Sequence, residues 1–397
     1  MSKILKGAEM TIYKRQSALP AFAISRIVLG ILPFIQIPFL VKTLGLNSWS
    51  RIAIVQSFAI FLGPLLDLGW STRYWKESRF PNKAKFIVSS LRQKMLVLFF
   101  LSLVVLAYFA MLEHGNSSNK GFFITFVAFV STLSGYLNNA WYWTAKADLR
   151  RLIYVEVIPK TILNLAAILL LFMSKNIELF FILLILSNYY STLYIFIWHR
   201  KEIRNPYRGS MMKGILFGLG STFRIGYLTS TLWIISYLGY SQMAIVATVE
   251  RLYRLVSALM EPLSSNFIFK HSKANSKNLV KISLFKQCSI VLILFPMAVN
   301  PVVSKIFFGT SINYGNLFFL FYAMSIAVVA ARLLVNAYSI YHQNIKVLSR
   351  FQYDAVMIFL ASLIALEKID VSNRVLIASL LAESIFCLRI SKSLFGR

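Results

Sequence analysis

The sequence predicts an all-α polytopic membrane protein with about 12 transmembrane helices, arranged as two six-helix lobes related by a pseudo-two-fold axis along the membrane normal. Three observations support this prediction. The first is composition: 58% of the 397 residues are hydrophobic, 14% are charged and the mean hydropathy is +0.67, whereas soluble domains are about half apolar and a quarter charged. The second is that apolar segments of spanning length recur along the chain. The third is that the connecting loops alternate in basic content.

The apolar segments define the elements in order. Twelve stretches have the length and composition of a membrane span, although the last two are short. They cover residues 18–41, 52–70, 95–112, 121–143, 152–173, 179–198, 214–238, 242–262, 288–308, 317–340, 351–366 and 375–390. A turn over residues 42–50 is expected between the first two spans. We therefore expect an N-terminal lobe over residues 1–200, a cytoplasmic linker over 201–213 and a C-terminal lobe over 214–397.

The basic residues of the loops predict the orientation in the membrane. One set of alternating loops carries 29 Lys and Arg residues, and the opposite set carries 7. Because cytoplasmic loops are enriched in Lys and Arg, both termini are predicted to be cytoplasmic. The same alternation accounts for the net charge of +28 without nucleic acid, since the basic residues do not form one stripe on a soluble fold. No cleavable signal pattern occurs at the N-terminus, so the first span is expected to be retained.

Cysteine labelling tests this topology. In a background that lacks Cys288 and Cys387, single cysteines in place of Arg79 and Lys277 should react only from the cytoplasmic side. A cysteine in place of Ser117, which lies in a predicted external turn, is the matched control and should react from outside. Labelling of position 79 or 277 from outside intact cells would contradict the orientation.

Short sequence motifs of the first half recur in the second half. Arg26-Ile27 recurs as Arg224-Ile225 at an offset of 198. Four further matches have offsets of 194, 191, 194 and 197: Leu44-Gly45 with Leu238-Gly239, residues 52–55 with 243–246, Asp67 with Glu261, and Asn139-Ala140-Trp141 with Asn336-Ala337-Tyr338. Collinear matches at nearly constant offset indicate two tandem halves. In transporters built from parallel repeats, the substrate site lies between the halves.

Six basic residues lie well inside predicted spans and are candidates for function by default, whereas Lys305 and Arg389, close to the ends of their spans, are counted with the loops. They are Arg26, Lys160, Arg224, Arg251, Arg254 and Arg332. In contact with lipid they would cost roughly 18 kcal/mol at about 3 kcal/mol each, more than the ~5–15 kcal/mol net stability of a typical protein. Most of them must therefore line a hydrated cavity or pair with acids. A cavity rich in arginine fits an anion, because a planar guanidinium binds phosphate through two parallel hydrogen bonds.

Local alternatives exist for several of these charges. Two pairs have the i, i+4 spacing of an intrahelical salt bridge: Glu156 with Lys160, and Glu250 with Arg254. Arg26 and Arg332 can instead extend toward the headgroups, because long basic side chains reach the interface from inside a span.

Other residues suggest coupling and movement. Asp67 and Glu250 are candidates for ion coupling. Several spans contain residues that interrupt regular helix and predict kinks, whether fixed by packing or acting as hinges. They are Pro33, Pro38, Gly63, Pro64, Gly218, Gly220, Pro296 and Pro301. The two cysteines have no metal-ligand spacing, and no cofactor is expected.

Three motifs resemble a known family. Residues 38–45 read Pro-Phe-Leu-Val-Lys-Thr-Leu-Gly, residues 66–70 read Leu-Asp-Leu-Gly-Trp, and Trp141-Tyr142-Trp143 precedes a basic turn at Arg150-Arg151. They resemble the bacterial polysaccharide flippases, which move undecaprenyl-pyrophosphate-linked O-antigen or capsule repeat units. Those flippases form part of the multidrug/oligosaccharidyl-lipid/polysaccharide exporter superfamily. The chain departs from the family pattern at residues 46–49, Leu-Asn-Ser-Trp, where a tyrosine-glycine pair is usual.

The resemblance implies a V of two lobes in the bacterial cytoplasmic membrane, alternating access and a cationic central cavity. The expected substrate-binding residues are Arg26, Arg51, Arg224, Arg251, Arg254 and Arg332. The expected partners are the lipid-linked oligosaccharide, membrane lipids, and polysaccharide assembly proteins such as a polymerase and a chain-length regulator. The protein is expected to be a monomer.

Two other functions compete with this interpretation. A drug or cation exporter of the same superfamily would call for unpaired acids inside the membrane, whereas the excess here is basic. A membrane glycan polymerase or glycosyltransferase would need catalytic groups on a sizeable external loop, and no predicted external loop is long enough. We therefore expect a transporter and not an enzyme.

Overall fold

The chain folds into helices wherever its structure is described. The structure is a computed structural model that describes residues 25, 27–67, 70, 83–113, 119–140, 142–143, 148–201, 219, 222, 225–226, 229, 251, 277–298, 305, 317–341 and 345–395. Almost all of these residues are helical, and none of them lies in a β-strand. This confirms the all-α fold predicted from the sequence.

Six helices account for the first six predicted spans. They are α1 (Ile27–Leu44), α2 (Leu46–Asp67), α3 (Lys83–Glu113), α4 (Asn119–Ser134), α5 (Leu149–Ser174) and α6 (Ile177–Trp198). The helix α3 begins at Lys83, well before the expected start at residue 95. The predicted start at residue 95 had left Lys94 among the basic residues of a cytoplasmic loop, and this was wrong: Lys94 lies inside α3 with only 1% of its side chain exposed.

Four more helices account for the last four predicted spans. They are α7 (Lys277–Ala298), α8 (Leu317–Tyr341), α9 (Ile345–Ala365) and α10 (Val371–Phe395). Most of the seventh and eighth predicted spans lies outside the described residues, but Thr222, Ile225, Thr229 and Arg251 within them are helical. Among the described residues, six stretches are long and apolar enough to cross a membrane: Ile27–Leu44, Ser48–Asp67, Ala84–Ala107, Leu149–Ser174, Ile177–Trp198 and Val347–Ala365. A multi-pass membrane protein is thereby confirmed.

The described helices pack mainly within their own half of the chain. In the first half α4 packs against α2 and α6, and α5 packs against α6. In the second half α10 packs against both α8 and α9, and α7 packs against α8. One buried apolar cluster nevertheless contains side chains from both halves, including Phe34, Phe181 and Phe321. The lobe boundaries at residues 200 and 214 stay a prediction.

The connection between α1 and α2 is shorter than expected. The turn predicted over residues 42–50 is reduced to Gly45, which has φ of +76°. A left-handed residue of this kind ends a helix, and glycine adopts it without a steric penalty. The Gly45 N–H donates to the Val41 carbonyl oxygen at 2.9 Å, and α2 begins at the next residue.

A π-helical segment, Leu152–Val157, lies near the start of α5. Pro159 follows it and lacks the N–H that would donate to the Val155 carbonyl, and its ring would clash with that carbonyl in a regular α-helix. The wider turn relieves the clash, and π segments often occur at functional sites. Glu156 lies in this segment and is fully buried.

The repeated Asn-Ala motif, at Asn139-Ala140 and Asn336-Ala337, has different local structures in the two halves. After α4 the chain makes a short 3₁₀ turn, Gly135–Leu137, and is not helical at Asn138 and Asn139. Asn336 instead lies within the uninterrupted helix α8. The sequence match at these positions therefore does not extend to the backbone.

Candidate functional site

The structure describes the side chains of three predicted site residues: Arg51, Arg251 and Asp67. Arg51 is exposed on the first turns of α2. Arg332 lies in α8, where only its backbone is described. The others fall outside the described residues: Arg26, Arg224, Arg254 and Glu250.

Arg251 contacts α2 across the two halves of the chain. Its Nη2 donates to the Gln56 Oε1 at 2.5 Å, and its guanidinium carbon lies 5.7 Å from the ring centroid of Trp49. Arg251 is only half-buried, while Trp49 is 1% exposed. Gln56 and Trp49 are seven residues apart, which places them on the same side of α2. The guanidinium therefore lies between the two halves of the chain and contacts a neutral acceptor and an aromatic ring of α2.

Trp49 adds a second donor at this contact. Its indole N–H is buried and has no hydrogen-bond partner in the part of the chain that the structure describes. Burying an amide-like donor without a partner costs about 1–3 kcal/mol, so such a donor often marks a place where a ligand or water binds. The guanidinium and the indole N–H together offer donors to an anion.

Gly226 makes another contact between the halves on α2. A methyl group at this glycine would lie 2.8 Å from Cε2 of Phe61. Real Cβ contacts are essentially never that short, so the glycine permits a close approach between the seventh predicted span and α2. Since Phe61 follows Gln56 by five residues, α2 meets the second half at more than one point along its length.

A proline interrupts the backbone hydrogen bonding of α2. Pro64 has no N–H, so the Ile60 carbonyl loses its usual intrahelical partner. The hydroxyl of Tyr136, which follows α4, donates to that carbonyl at 3.2 Å. The Tyr136 ring lies so close to Gly63 that a methyl group there would overlap it. Tyr136 thus replaces the missing hydrogen bond and occupies the space that Gly63 leaves.

A buried ion pair holds the last residue of α2, shortly after this proline. Lys94 of α3 places its Nζ 2.6 Å from Asp67 Oδ1 and donates to the Tyr136 carbonyl oxygen at 3.2 Å. Lys94 is almost completely buried, and Asp67 is 20% exposed. Asp67, the candidate for ion coupling, is therefore paired with a basic residue 27 positions away. The ammonium connects the end of α2 to the turn that carries Tyr136.

Replacing Gly63 by alanine tests the close contact with Tyr136. We expect Gly63→Ala to lower the free energy of unfolding by about 1–3 kcal/mol, because an added methyl overlaps a ring fixed at both ends. Gly135→Ala is the matched control, since a methyl there meets nothing within 4 Å. Thermal and denaturant unfolding in detergent would measure both variants. Equal effects would contradict the proposed packing, and Tyr136→Leu should restore part of the loss in Gly63→Ala.

A network of hydrogen bonds and one ion pair connects buried polar side chains of several helices in the first half of the protein. Gln36 of α1 donates through Nε2 to Asn164 Oδ1 of α5, and Asn164 in turn donates to the Lys160 carbonyl oxygen at 2.6 Å. Lys160 Nζ lies 2.8 Å from Glu156 Oε2, and Glu156 Oε1 accepts from the Asn139 N–H at 2.9 Å. The predicted pair of Glu156 and Lys160 is confirmed. This network connects α1, α5 and the non-helical residues that follow α4.

Two acids inside predicted spans were missed by the sequence analysis. Asp354 of α9 pairs with Arg389 of α10, which had been assigned to a cytoplasmic loop. Glu383 of α10 is fully buried. Both lie within apolar stretches, and that position was the signal that would have identified them.

Comparison with known proteins identifies the fold. No protein-family model matches the chain, and no curated protein matches it by sequence. Solved structures do match it. MATE in complex with MaD5 has a TM-score of 0.59 at 12% identity, covering 96% of this chain and 97% of that chain.

Two other solved structures agree with that match. MATE in complex with Br-NRF has a TM-score of 0.59 at 12% identity over 98% and 99% of the two chains. The eukaryotic MATE transporter AtDTX14 has a TM-score of 0.53 at 12% identity over 98% and 96%. The chain therefore has the fold of MATE transporters, and the predicted layout of two six-helix lobes fits this fold.

Proposed function

We propose that this protein moves an undecaprenyl-pyrophosphate-linked oligosaccharide, an O-antigen or capsule repeat unit, from the inner to the outer leaflet of the bacterial cytoplasmic membrane. The two halves alternate in access, and the pyrophosphate binds a cationic site between them. The fold shared with MATE transporters supports membrane transport as the activity. Arg251 supports the sign of the substrate's charge.

The contact of Arg251 with α2 carries this proposal. A guanidinium between the halves, next to an indole N–H that has no partner among the described residues, provides donors suited to phosphate oxygens. The proposed site includes the other intramembrane arginines Arg26, Arg224, Arg254 and Arg332, together with Arg51. A pyrophosphate with two to three negative charges would allow several of these mutually repelling cations to share one cavity.

Three of the described acids inside predicted spans are paired with basic side chains, which favours an anion over a cation. Asp67 pairs with Lys94, Glu156 with Lys160 and Asp354 with Arg389. A cationic drug would have to displace a basic side chain from each of these carboxylates. Asp67 and Glu250 stay our candidates for ion coupling, and at Asp67 a coupling cation would compete with the Lys94 ammonium.

Reconstitution tests the proposal directly. Purified protein in proteoliposomes should transfer a fluorescent polyprenyl-pyrophosphate oligosaccharide between leaflets, measured by its accessibility to a membrane-impermeant quencher. The same preparation should not accumulate or expel cationic dyes. Efflux of dyes with no transfer of the lipid-linked glycan would contradict the proposal and favour a drug exporter.

Substrate variants would separate recognition of the phosphate from recognition of the sugar. A polyprenyl-linked oligosaccharide without phosphate should compete poorly, whereas a polyprenyl pyrophosphate without sugar should inhibit transfer. A polymerase and a chain-length regulator are the proposed functional partners, and the monomer is the proposed transporting unit.

A further inference from the structure

Aromatic and basic side chains meet where α5 begins and α6 ends, away from the contact between the halves. The helices are antiparallel neighbours, so Arg151 at the start of α5 lies beside Trp198 at the end of α6. We call this group the α5–α6 foot: Trp143, Asp148, Arg151, Tyr194 and Trp198. We propose that the α5–α6 foot binds the phosphate of an anionic phospholipid of the surrounding bilayer.

The guanidinium of Arg151 is held against two indole rings. Its carbon lies 4.5 Å from the ring centroid of Trp198 and 5.7 Å from that of Trp143. The Trp198 ring in turn stacks on Tyr194, with 6.0 Å between centroids and 13° between planes. Cation–π contacts restrain a guanidinium through its faces and leave its N–H edges available.

Asp148 fixes the remaining orientation of Arg151. One carboxylate oxygen accepts from the Arg151 backbone N–H at 3.1 Å, and the other lies 3.4 Å from Nε. The two terminal nitrogens, Nη1 and Nη2, have no hydrogen-bond partner among the described residues. The Arg151 side chain is 33% exposed. Two donors on a restrained planar group are thus presented at the surface, in the geometry that suits two phosphate oxygens.

Trp143 provides a further unused donor. It is fully buried, and its indole N–H has no partner in the described part of the chain. The neighbouring Tyr142 packs edge-on against it with centroids 4.8 Å apart. The Tyr142 hydroxyl also lies 3.1 Å from His199 Nε2. The Trp143 indole is therefore held beside the Arg151 guanidinium. Its N–H has no partner among the described residues and is a further donor for a ligand.

The position and surroundings of the α5–α6 foot favour a lipid over a soluble phosphate. Trp198 and Tyr154 are 53% and 61% exposed at helix ends, as expected for side chains at headgroup depth. Arg150, Arg200 and Lys201 are exposed nearby in sequence, which adds positive charge. The loop charges predict that this end faces the cytoplasm, where the leaflet is anionic.

Lipid titration tests this inference on the full-length protein in nanodiscs or detergent. Native mass spectrometry should show phosphatidylglycerol retained by the wild type, and Arg151→Gln should weaken that binding by about tenfold. Trp198→Leu should weaken it less, because the charge stays while its restraint is lost. Arg350→Gln, which removes an exposed cation from α9, is the matched control and should leave binding unchanged.

The other outcomes would overturn the inference. Equal losses in Arg151→Gln and Arg350→Gln would mean that only general surface charge attracts lipid. Equal binding of phosphatidylcholine would remove the role of net negative charge. Displacement of phosphatidylglycerol by soluble glycerol phosphate at matched concentration would indicate a site for a free phosphate. None of these results depends on which substrate the protein transports.

Discussion

Replacing Arg251 by alanine is expected to reduce transport of the lipid-linked oligosaccharide strongly while the protein stays folded and inserted. A charged contact to phosphate contributes roughly 1.5–3 kcal/mol, so binding should weaken by about tenfold to a hundredfold. Arg251→Lys should recover part of the activity, because lysine keeps the positive charge although it cannot form the bidentate hydrogen bonds of a guanidinium. Transfer in proteoliposomes and surface polysaccharide in cells, at matched protein levels, measure the effect.

Gln56→Ala is the control that separates anion binding from a structural link. It removes the Gln56 oxygen that accepts from Arg251 Nη2 and leaves the guanidinium in place. If Arg251 binds substrate, Gln56→Ala should keep most of the transport activity. If Arg251 only ties the halves together, the two variants should fail to the same extent, and the proposed role would be wrong. The repeat predicts that Arg26→Ala and Arg224→Ala behave like Arg251→Ala, although their surroundings lie outside the described residues.

Removing Glu156 should cause the largest loss of stability. Glu156 is fully buried and Lys160 is 7% exposed, so Glu156→Ala leaves a buried ammonium without its counter-ion. Breaking a buried pair on one side costs about 3–5 kcal/mol. The same change removes the acceptor of the Asn139 N–H at the break after α4. Denaturant unfolding in detergent should therefore show a large fall in the unfolding free energy.

Paired substitutions distinguish charge from packing at this site. Glu156→Gln with Lys160→Met removes both charges and keeps similar volumes, so it should restore most of the stability lost in Glu156→Ala. Glu156→Gln alone keeps an acceptor for Asn139 and should be intermediate. A double variant as unstable as Glu156→Ala would show that the ion pair is not the source of the loss. Transport by the double variant would further show that Glu156 is not an obligatory coupling group.

Contacts within one helix were predictable because their spacing is encoded locally. Glu156 and Lys160 are four residues apart, and the helical period alone brings them together. The loss of one backbone hydrogen bond in α2 follows equally directly from Pro64, which has no N–H to donate. Neither inference needed knowledge of which helices are neighbours.

Contacts between helices required the tertiary structure. Lys94 looked like a loop residue because it closes a stretch rich in basic residues, yet it is buried against Asp67. Arg389 was misassigned in the same way, since its partner Asp354 lies on a different helix. A basic residue inside a span can be recognised by hydropathy only when its neighbours are uniformly apolar.

The sequence by itself determined that this chain is an α-helical membrane protein, because the apolar length of a span is set by the thickness of the bilayer. It also predicted that the membrane interior carries more basic than acidic residues. Only the tertiary structure decided which helices supply the partners of the buried charges, as for Lys94 with Asp67 and Arg389 with Asp354. Arg251 meets Gln56 across 195 positions and Gln36 meets Asn164 across 128, and such pairs depend on helix packing, which no local periodicity specifies.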